Sequence, residues 1–286
     1  MKNKNFTSHL PFSFGMPAVI WQIVFFYLPL LFIVVSSILK VSDLGVIEGI
    51  TFEKLWIFFS PIYLGVIGSS FLLALSNAVL CLFIAYPIAY FLAFTSHKFK
   101  NLFLFLLIVP FWTNFLLHVY AWFFVLEKEG FLNNLLRFLG IIDEPIHFLN
   151  SMFAIMIMMV YYYLPFMLLP IYSSLERLDR RLIEASMDLG AGWSHTFRRI
   201  LLPLTLSGVR GGFFLVYIPS FAEFAIPELM GGDKQMFVGS VVSHYILGEE
   251  TGSLGAAFTV VSCAALLVSV VILYWLMNKL MKKVYG

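Results

Sequence analysis

The stretch ERLDRRLIEASMDLGAGWSHTFRRILLP, residues 176–203, is a charged insert between two strongly apolar segments of the chain. It is too long to be a tight turn between membrane helices, so it must lie in water or against another protein. Asp179 belongs to the residue types that cap helix N-termini, and Gly190 stands where a glycine would end the helix. A second short helical run, residues 193–200, is expected to stop at Pro203. The pattern predicts two short helices that are joined at a glycine and present a face to a partner.

The composition excludes most soluble classes. The chain has 286 residues, of which 61% are hydrophobic and 12% charged, with a mean hydropathy of +0.93. Soluble domains contain about 25% charged residues. Cys81 and Cys263 both lie inside apolar runs, which is typical of core residues and not of a disulfide framework. The sequence has no Walker-type glycine loop, nucleophile triad or metal-ligand spacing, so we expect no catalytic residue, cofactor or metal on this chain, and no nucleic-acid partner.

Hydropathy predicts an all-α, polytopic membrane protein, because about 20 apolar residues cross a bilayer as a helix. The second predicted span is too long for one straight crossing and is expected to tilt or to project from the bilayer. The basic N-terminus precedes an apolar run that is too long for a signal peptide, so we interpret it as a retained first helix. The six predicted spans are residues 16–39, 62–94, 102–126, 149–175, 204–227 and 255–278.

The distribution of basic residues predicts the orientation of the spans. With the N-terminus inside, 13 of the 18 Lys and Arg residues fall in cytoplasmic segments and five in outer segments. Positive charge is enriched in the cytoplasmic loops of membrane proteins. We therefore expect both termini and the 176–203 loop to be cytoplasmic.

Four residues are candidates for lining a substrate path. Glu223 is the acid most deeply placed in an apolar run, and acids inside membranes usually face a cavity or a partner. The predicted helix 204–227 puts Ser220 on the same face, although Glu223 could equally be an acid at the outer interface. Tyr162, in the run Tyr-Tyr-Tyr, could contact cations through its ring, with core packing as the alternative. Trp112 is the fourth candidate, and an interface anchor is the alternative for it.

One outer segment is amphipathic. The run FLNNLLRFLGII, residues 131–142, has helical periodicity with apolar and polar sides. Two interpretations stay open for this run. It is either a surface helix that packs on its neighbours or a helix that lies along the outer membrane interface.

Several motifs resemble a known family. The pattern Glu-Ala-Ser, three residues, Gly190, nine residues, Ile, one residue, Leu-Pro resembles the EAA loop of ABC-importer permease subunits. Ser186 departs from that pattern, because the family usually has alanine there. The segments PFWTNFL (110–116), LPFMLLPIYSSLERLD (164–179) and PELMGG (227–232) resemble the spermidine/putrescine permeases of the PotB type.

The resemblance implies the type I ABC-importer (MetI-like) fold for residues 62–278, preceded by a tail, helix and outer loop at 1–61 and followed by a cytoplasmic tail at 279–286. It implies a bacterial inner-membrane importer of polyamines, with a second permease of the PotC type, two ATPase subunits and an extracytoplasmic solute-binding protein as partners. Importers of an amino acid, sugar or iron complex, a secondary transporter and a membrane scaffold are the alternatives. The ATPase-coupling residues that the resemblance implies are Glu184, Ala185, Ser186, Gly190, Ile200, Leu202 and Pro203.

Overall fold

A computed structural model describes residues 15–41, 47–94, 97–232, 235–247 and 252–285. The predicted cytoplasmic tail before residue 15 and the outer-loop residues Asp233 and Lys234 lie outside these ranges. The chain divides into two compact units. One unit contains Met1–Ser60 and His244–Val261, and the other contains Pro61–Ser243 and Ser262–Gly286.

The described residues are mostly helical, which confirms the all-α class. The helices are α1 (Met16–Ile38), α2 (Glu53–Ile57), α3 (Pro61–Phe94), α4 (His97–Ile108), α5 (Phe115–Leu126), α6 (Phe131–Phe138), α7 (Met152–Glu176), α8 (Arg180–Asp188), α9 (Trp193–Phe221), α10 (Val238–Leu247) and α11 (Gly252–Tyr285). A small antiparallel sheet, which the sequence did not predict, pairs β1 (Leu39–Val41) with β2 (Ile47–Ile50).

The first unit is built around α1 and the β1–β2 hairpin. Most side chains of α1 are exposed, as expected for a helix surrounded by lipid or by another subunit. The ammonium of Lys54 on α2 donates a hydrogen bond to the Leu39 carbonyl at 2.8 Å and so holds α2 to β1. Phe58 is fully buried, and its ring lies 6.1 Å from Tyr245 and 5.0 Å from Phe258.

The core of the second unit is formed by α3, α7 and α9. Helix α3 buries a stripe of small residues at helical spacing, which are Ala74, Ala78, Cys81, Ala85 and Ala89. Gly208 and Gly212 of α9 face α7 so closely that an added Cβ would lie 2.3 Å from Ser174 Oγ and 2.8 Å from the Met167 carbonyl oxygen. Small residues of this kind let membrane helices approach backbone to backbone.

The predicted third span is not one helix. A 3-10 turn, Val109–Trp112, follows α4, and α5 begins at a bend of 101°. Thr113 is extended, and the Asn114 side chain caps α5 by accepting a hydrogen bond from the Leu116 N–H at 2.8 Å. Among the described residues, five helices could each cross a membrane, and there are six spans if the bent pair counts as one.

The predicted fifth span has different ends from those expected. Helix α9 begins at Trp193, inside the charged insert, and continues through a π-helical turn, Phe197–Leu201, without stopping at Pro203. A π-helical turn accommodates the proline because it changes the hydrogen-bond ladder where the N–H is missing. The helix ends at Phe221, so Glu223 lies in an irregular segment and not on a helical face.

Candidate coupling surface and substrate path

Helix α8 has the two caps that the sequence predicted. The Asp179 carboxylate accepts a hydrogen bond from the Arg181 N–H at 3.0 Å. At the other end, Gly190 has φ +83°, and its N–H donates to the Met187 carbonyl at 2.8 Å. The Ala191 N–H donates to the carbonyl of residue 186 at 3.1 Å. These two bonds form a Schellman motif, so the end of α8 depends on a left-handed residue at position 190.

A buried hydrogen bond joins α8 to the start of α9. The hydroxyls of Ser186 and Thr196 lie 2.9 Å apart, and Thr196 is completely buried. Thr196 also contacts the Gly192 carbonyl at 3.4 Å. Position 186 is where the chain departs from the EAA pattern, so this bond needs the serine that replaces alanine. Thr196 was not singled out from the sequence, because nothing local indicates its partner.

The residues expected to couple to an ATPase divide into exposed and buried groups. Glu184 and Ala185 are exposed on α8, and Ile200 is half-buried. A groove of about 660 Å³ has the following lining: Leu182, Ala185, Ser186, Leu189, Gly190, Ala191, Gly192, His195, Arg199 and Ile200. Leu189 is 88% exposed at its rim. Pro203 is buried and Leu202 half-buried within α9, so these two residues form part of the support and not of the surface.

Charged side chains fasten the charged insert to the membrane helices. Arg180 donates to the Ala93 carbonyl at 3.2 Å, and its guanidinium lies 5.2 Å from the centre of the Phe94 ring. Lys100 on α4 forms an ion pair with Glu176, where α7 ends and the insert begins. The insert therefore contacts the ends of α3, α4 and α7.

Aromatic contacts connect the insert to α3 along one side. The rings of Tyr90 and Trp193 have centroids 5.3 Å apart, and those of Tyr86 and Phe197 are 5.4 Å apart. The Tyr86 hydroxyl also lies 3.0 Å from the Thr205 hydroxyl on α9. A displacement of α8 and the start of α9 would therefore be passed to α3.

Glu223 accepts several hydrogen bonds at the end of α9. The Tyr163 hydroxyl, from α7, donates to Glu223 Oε2 at 2.6 Å. Oε1 accepts from the backbone N–H groups of Ala225 at 3.1 Å and Ile226 at 3.5 Å. The carboxylate thus caps the short turn that follows, and a side chain bonded to nearby backbone competes with helix continuation.

Tyr162 lies in an aromatic cluster that leads to Glu223. Its ring centroid is 5.7 Å from Phe111, 5.1 Å from Phe115 and 5.4 Å from Tyr163. Tyr163 then contacts Glu223 through its hydroxyl. The sequence showed part of this arrangement as the Tyr-Tyr-Tyr run, but the residue that contacts Glu223 is the last of the three tyrosines.

The structure places the other two path candidates elsewhere. Ser220 is completely buried, and its hydroxyl accepts a hydrogen bond at 2.8 Å from the Asn77 side chain of α3. Trp112 is 78% exposed at the end of the 3-10 turn. Asn77 was missed, although a lone amide in an apolar run is the kind of signal that could have identified it.

Within the described ranges, no group of three His, Cys, Asp or Glu residues is placed to hold a metal ion. His118 makes hydrogen bonds inside the protein. Its Nδ1 lies 2.9 Å from the Tyr161 hydroxyl, and its Nε2 lies 2.6 Å from the Thr113 hydroxyl. These contacts hold the bend between α4 and α5 against α7.

Comparisons with known proteins agree with this architecture. Residues 85–284 match the family described as binding-protein-dependent transport system inner membrane component. The spermidine/putrescine transport system permease protein PotB of Escherichia coli (strain K12) is 39% identical over 264 residues, which cover 92% of this chain and 96% of that protein. The PotB protein of Haemophilus influenzae is 36% identical over 264 residues, which cover 92% of this chain and 92% of that protein.

Two crystal structures of bacterial alginate ABC transporters have the same fold. In the first, a transporter that imports the acidic polysaccharide alginate, one chain superposes with a TM-score of 0.68, covering 96% of both chains. In the second, which includes a periplasmic protein bound to an alginate pentasaccharide, the TM-score is 0.72, covering 95% of this chain and 94% of that one. The identity is 14% in both, so the likeness concerns the fold alone.

Proposed function

Because the chain belongs to the family of binding-protein-dependent transport system inner membrane components, we propose that it is one of two permease subunits of an ATP-driven polyamine importer. The observation that carries the substrate class is the 39% identity to a spermidine/putrescine permease across 92% of the chain. In this proposal a homologous permease of the PotC type completes the translocation path. Two ATPase subunits bind at the cytoplasmic face, and a solute-binding protein delivers the polyamine.

The groove beside α8 is the docking surface for the ATPase in this proposal. Glu184 and Ala185 offer an exposed edge, and Leu189 offers an apolar contact. Arg180 and the Tyr90–Trp193 pair fasten this surface to α3. Movement of a docked ATPase is therefore transmitted to the core helices as the movement of one fixed body. Both termini are cytoplasmic in this arrangement, in keeping with the excess of basic residues on that side.

The row of Tyr162, Tyr163 and Glu223 is the proposed substrate path. Polyamines are methylene chains between ammonium groups, so a path for them needs acids and aromatic walls. Each cation–π contact contributes about 0.5–2 kcal/mol, which favours entry without trapping the cation. Glu223 supplies the negative charge, with Tyr163 holding the carboxylate in place. Trp112 contributes an exposed aromatic surface, and Ser220 acts through Asn77 by fixing the end of α9 just before Glu223.

Uptake of labelled spermidine and putrescine by the assembled complex tests the substrate. Glu223→Gln should lower polyamine uptake severalfold without reducing assembly, because it removes the charge and keeps the size. Glu144→Gln, the same change at an exposed acid in the loop before α7, is the matched control and should transport normally. Normal uptake in Glu223→Gln would leave that residue as an interfacial acid. Transport of a neutral solute by the native complex would reject the polyamine assignment and retain the importer.

Substrate-stimulated ATP hydrolysis tests the coupling surface. Gly190 and Gly192 both have open space where a Cβ would be added, but only Gly190 has a positive φ. Gly190→Ser should destabilise the turn at the end of α8 by about 1–2 kcal/mol, because a left-handed conformation is strained for residues with a Cβ. Gly192→Ser should be tolerated, since Gly192 is the N-cap of α9 and serine is a favoured cap. If substrate stimulated ATP hydrolysis equally in Gly190→Ser and Gly192→Ser, the role of this turn in coupling would be contradicted.

A further inference from the structure

Helix α6 exposes a row of large apolar side chains while it buries a polar one. Asn133 is completely buried against the rest of the unit. On the opposite side, Phe131 is 67% exposed, Phe138 is 87% exposed and Leu135 is also exposed. Residues 131, 135 and 138 follow the three- and four-residue spacing of one helical face. Leu132 and Leu136 are half-buried on the inner side beside Asn133. Apolar side chains therefore lie on both sides of α6, whereas a surface helix in water keeps them on its buried face.

The Asn133 side chain fixes this orientation of α6. Its amide nitrogen donates to the carbonyls of Ile146 at 2.8 Å and Glu127 at 3.2 Å. Its amide oxygen accepts from the Ile146 N–H at 2.9 Å. Rotation of α6 to bury its phenylalanines would break all three bonds and leave buried polar groups unsatisfied, which is costly. The outward position of the apolar face is therefore built into the packing.

The connection between α5 and α6 places this face at the boundary of the membrane. Helices α5 and α6 together make up the second member, Phe115–Phe138, of the bent pair that is apolar enough to enter a bilayer. Phe124 in the last turn of α5 is 72% exposed. Gly130, which precedes α6, approaches that turn so closely that an added Cβ would lie 2.5 Å from the Phe124 carbonyl oxygen. The exposed side of α6 thus continues from the last turn of a membrane helix. Helix α7, which is long and apolar enough to cross a bilayer, lies between α6 and the 176–203 insert along the chain.

We propose that α6 is an interfacial helix, with Phe131, Leu135 and Phe138 inserted between lipid headgroups and acyl chains at the membrane surface opposite the 176–203 insert. These three side chains have no hydrogen-bonding group, so they suit acyl chains, which need none. Exposed Asn134 lies beside them, and its amide is bonded to the Glu129 carbonyl at 3.0 Å and to Arg137 at 2.7 Å. Polar groups lie beside it at headgroup level, where Arg137 bonds to Glu129 at 3.2 Å. Short amphipathic helices with aromatic and leucine faces bind bilayer interfaces in this way.

Spin labels read out the depth of α6 in the full chain, purified in its complex and placed in lipid nanodiscs. Cysteine replaces Phe138 or Phe131 in a background where exposed Cys263 is changed to serine and buried Cys81 is kept. Leu267→Cys, on the exposed side of α11, is the control for lipid, and Asp143→Cys, in the loop after α6, is the control for water. Collision rates with oxygen and with a water-soluble nickel chelate are then compared among the labels.

The labels at 131 and 138 should resemble the label at 267, with oxygen collisions high and nickel-chelate collisions severalfold lower than at 143. Equal nickel accessibility at 138 and 143 would overturn the proposal, because the face would then lie in water. Protection from both reagents would also overturn it, because a protein partner would then cover the face. Phe138→Cys is expected to fold normally, since the native side chain contacts little of the chain.

Discussion

The hydrogen bond between Ser186 and Thr196 allows a quantitative test of how the coupling turn is held. Thr196→Val removes the partner of a serine that is only 8% exposed, without changing the size of residue 196. An unsatisfied buried hydroxyl costs about 1–3 kcal/mol. Ser186→Ala should cost less, about 1 kcal/mol, because Thr196 keeps its contact with the Gly192 carbonyl. The double variant leaves neither hydroxyl and should be close to the native protein.

Hydrogen exchange across residues 186–196 measures these differences in the assembled complex. Because about 1.4 kcal/mol is a factor of ten, Thr196→Val should speed local amide exchange about 5- to 150-fold. The double variant should restore most of that protection, so the three values together give a coupling energy of about 2–4 kcal/mol, at the upper end of what neighbouring residues show. Ser194→Ala, at an exposed serine on the same turn, is the control and should change nothing. Simple addition of the two single effects would refute an energetic link between these hydroxyls.

Two further predictions concern topology and the core. A cysteine at exposed Asp143 should react with an impermeant reagent from outside, and one at Ser194 should not. The reverse pattern would overturn the proposed orientation. Asn133, in the same outer segment, is unsuitable as a probe because it is buried. Asn77→Ala should lower the free energy of unfolding by about 0.6–1.7 kcal/mol, the range for polar contacts between membrane helices. Adding Ser220→Ala should then cost almost nothing more, and a full second loss would contradict the bond between them.

The local features of the charged insert could be predicted from the sequence. Asp179 and Gly190 act on backbone groups within two or three residues, so the residue types alone indicate both caps. Pro203 was wrongly expected to end the second helix, because the π-helical turn before it is not encoded by a simple proline rule. The break at Pro110 and Asn114 was present in the sequence as a proline and a capping residue. Hydropathy averaged over the whole segment concealed it.

The candidate path depended on contacts that a local pattern cannot contain. Tyr163 and Glu223 are 60 residues apart, and their hydrogen bond exists only after α7 and α9 pack. The helical face predicted for Glu223 was wrong because the carboxylate caps the following turn instead of extending α9. Ser220, which that face would have placed beside Glu223, is instead committed to Asn77.

The Asn77–Ser220 hydrogen bond can form only late in the synthesis of the chain. The two residues are 143 positions apart, so at roughly 5–20 residues per second the ribosome needs about 7 to 30 s to deliver the second after the first. Throughout that interval the Asn77 amide lies in a newly inserted helix without its native acceptor, where an unsatisfied polar group is expensive. Any temporary partner must be released when Ser220 arrives. The helices α3 and α9 can therefore form this bond no faster than translation allows. A ribosomal pause between the two codons lengthens the time for which the Asn77 amide lacks its native acceptor.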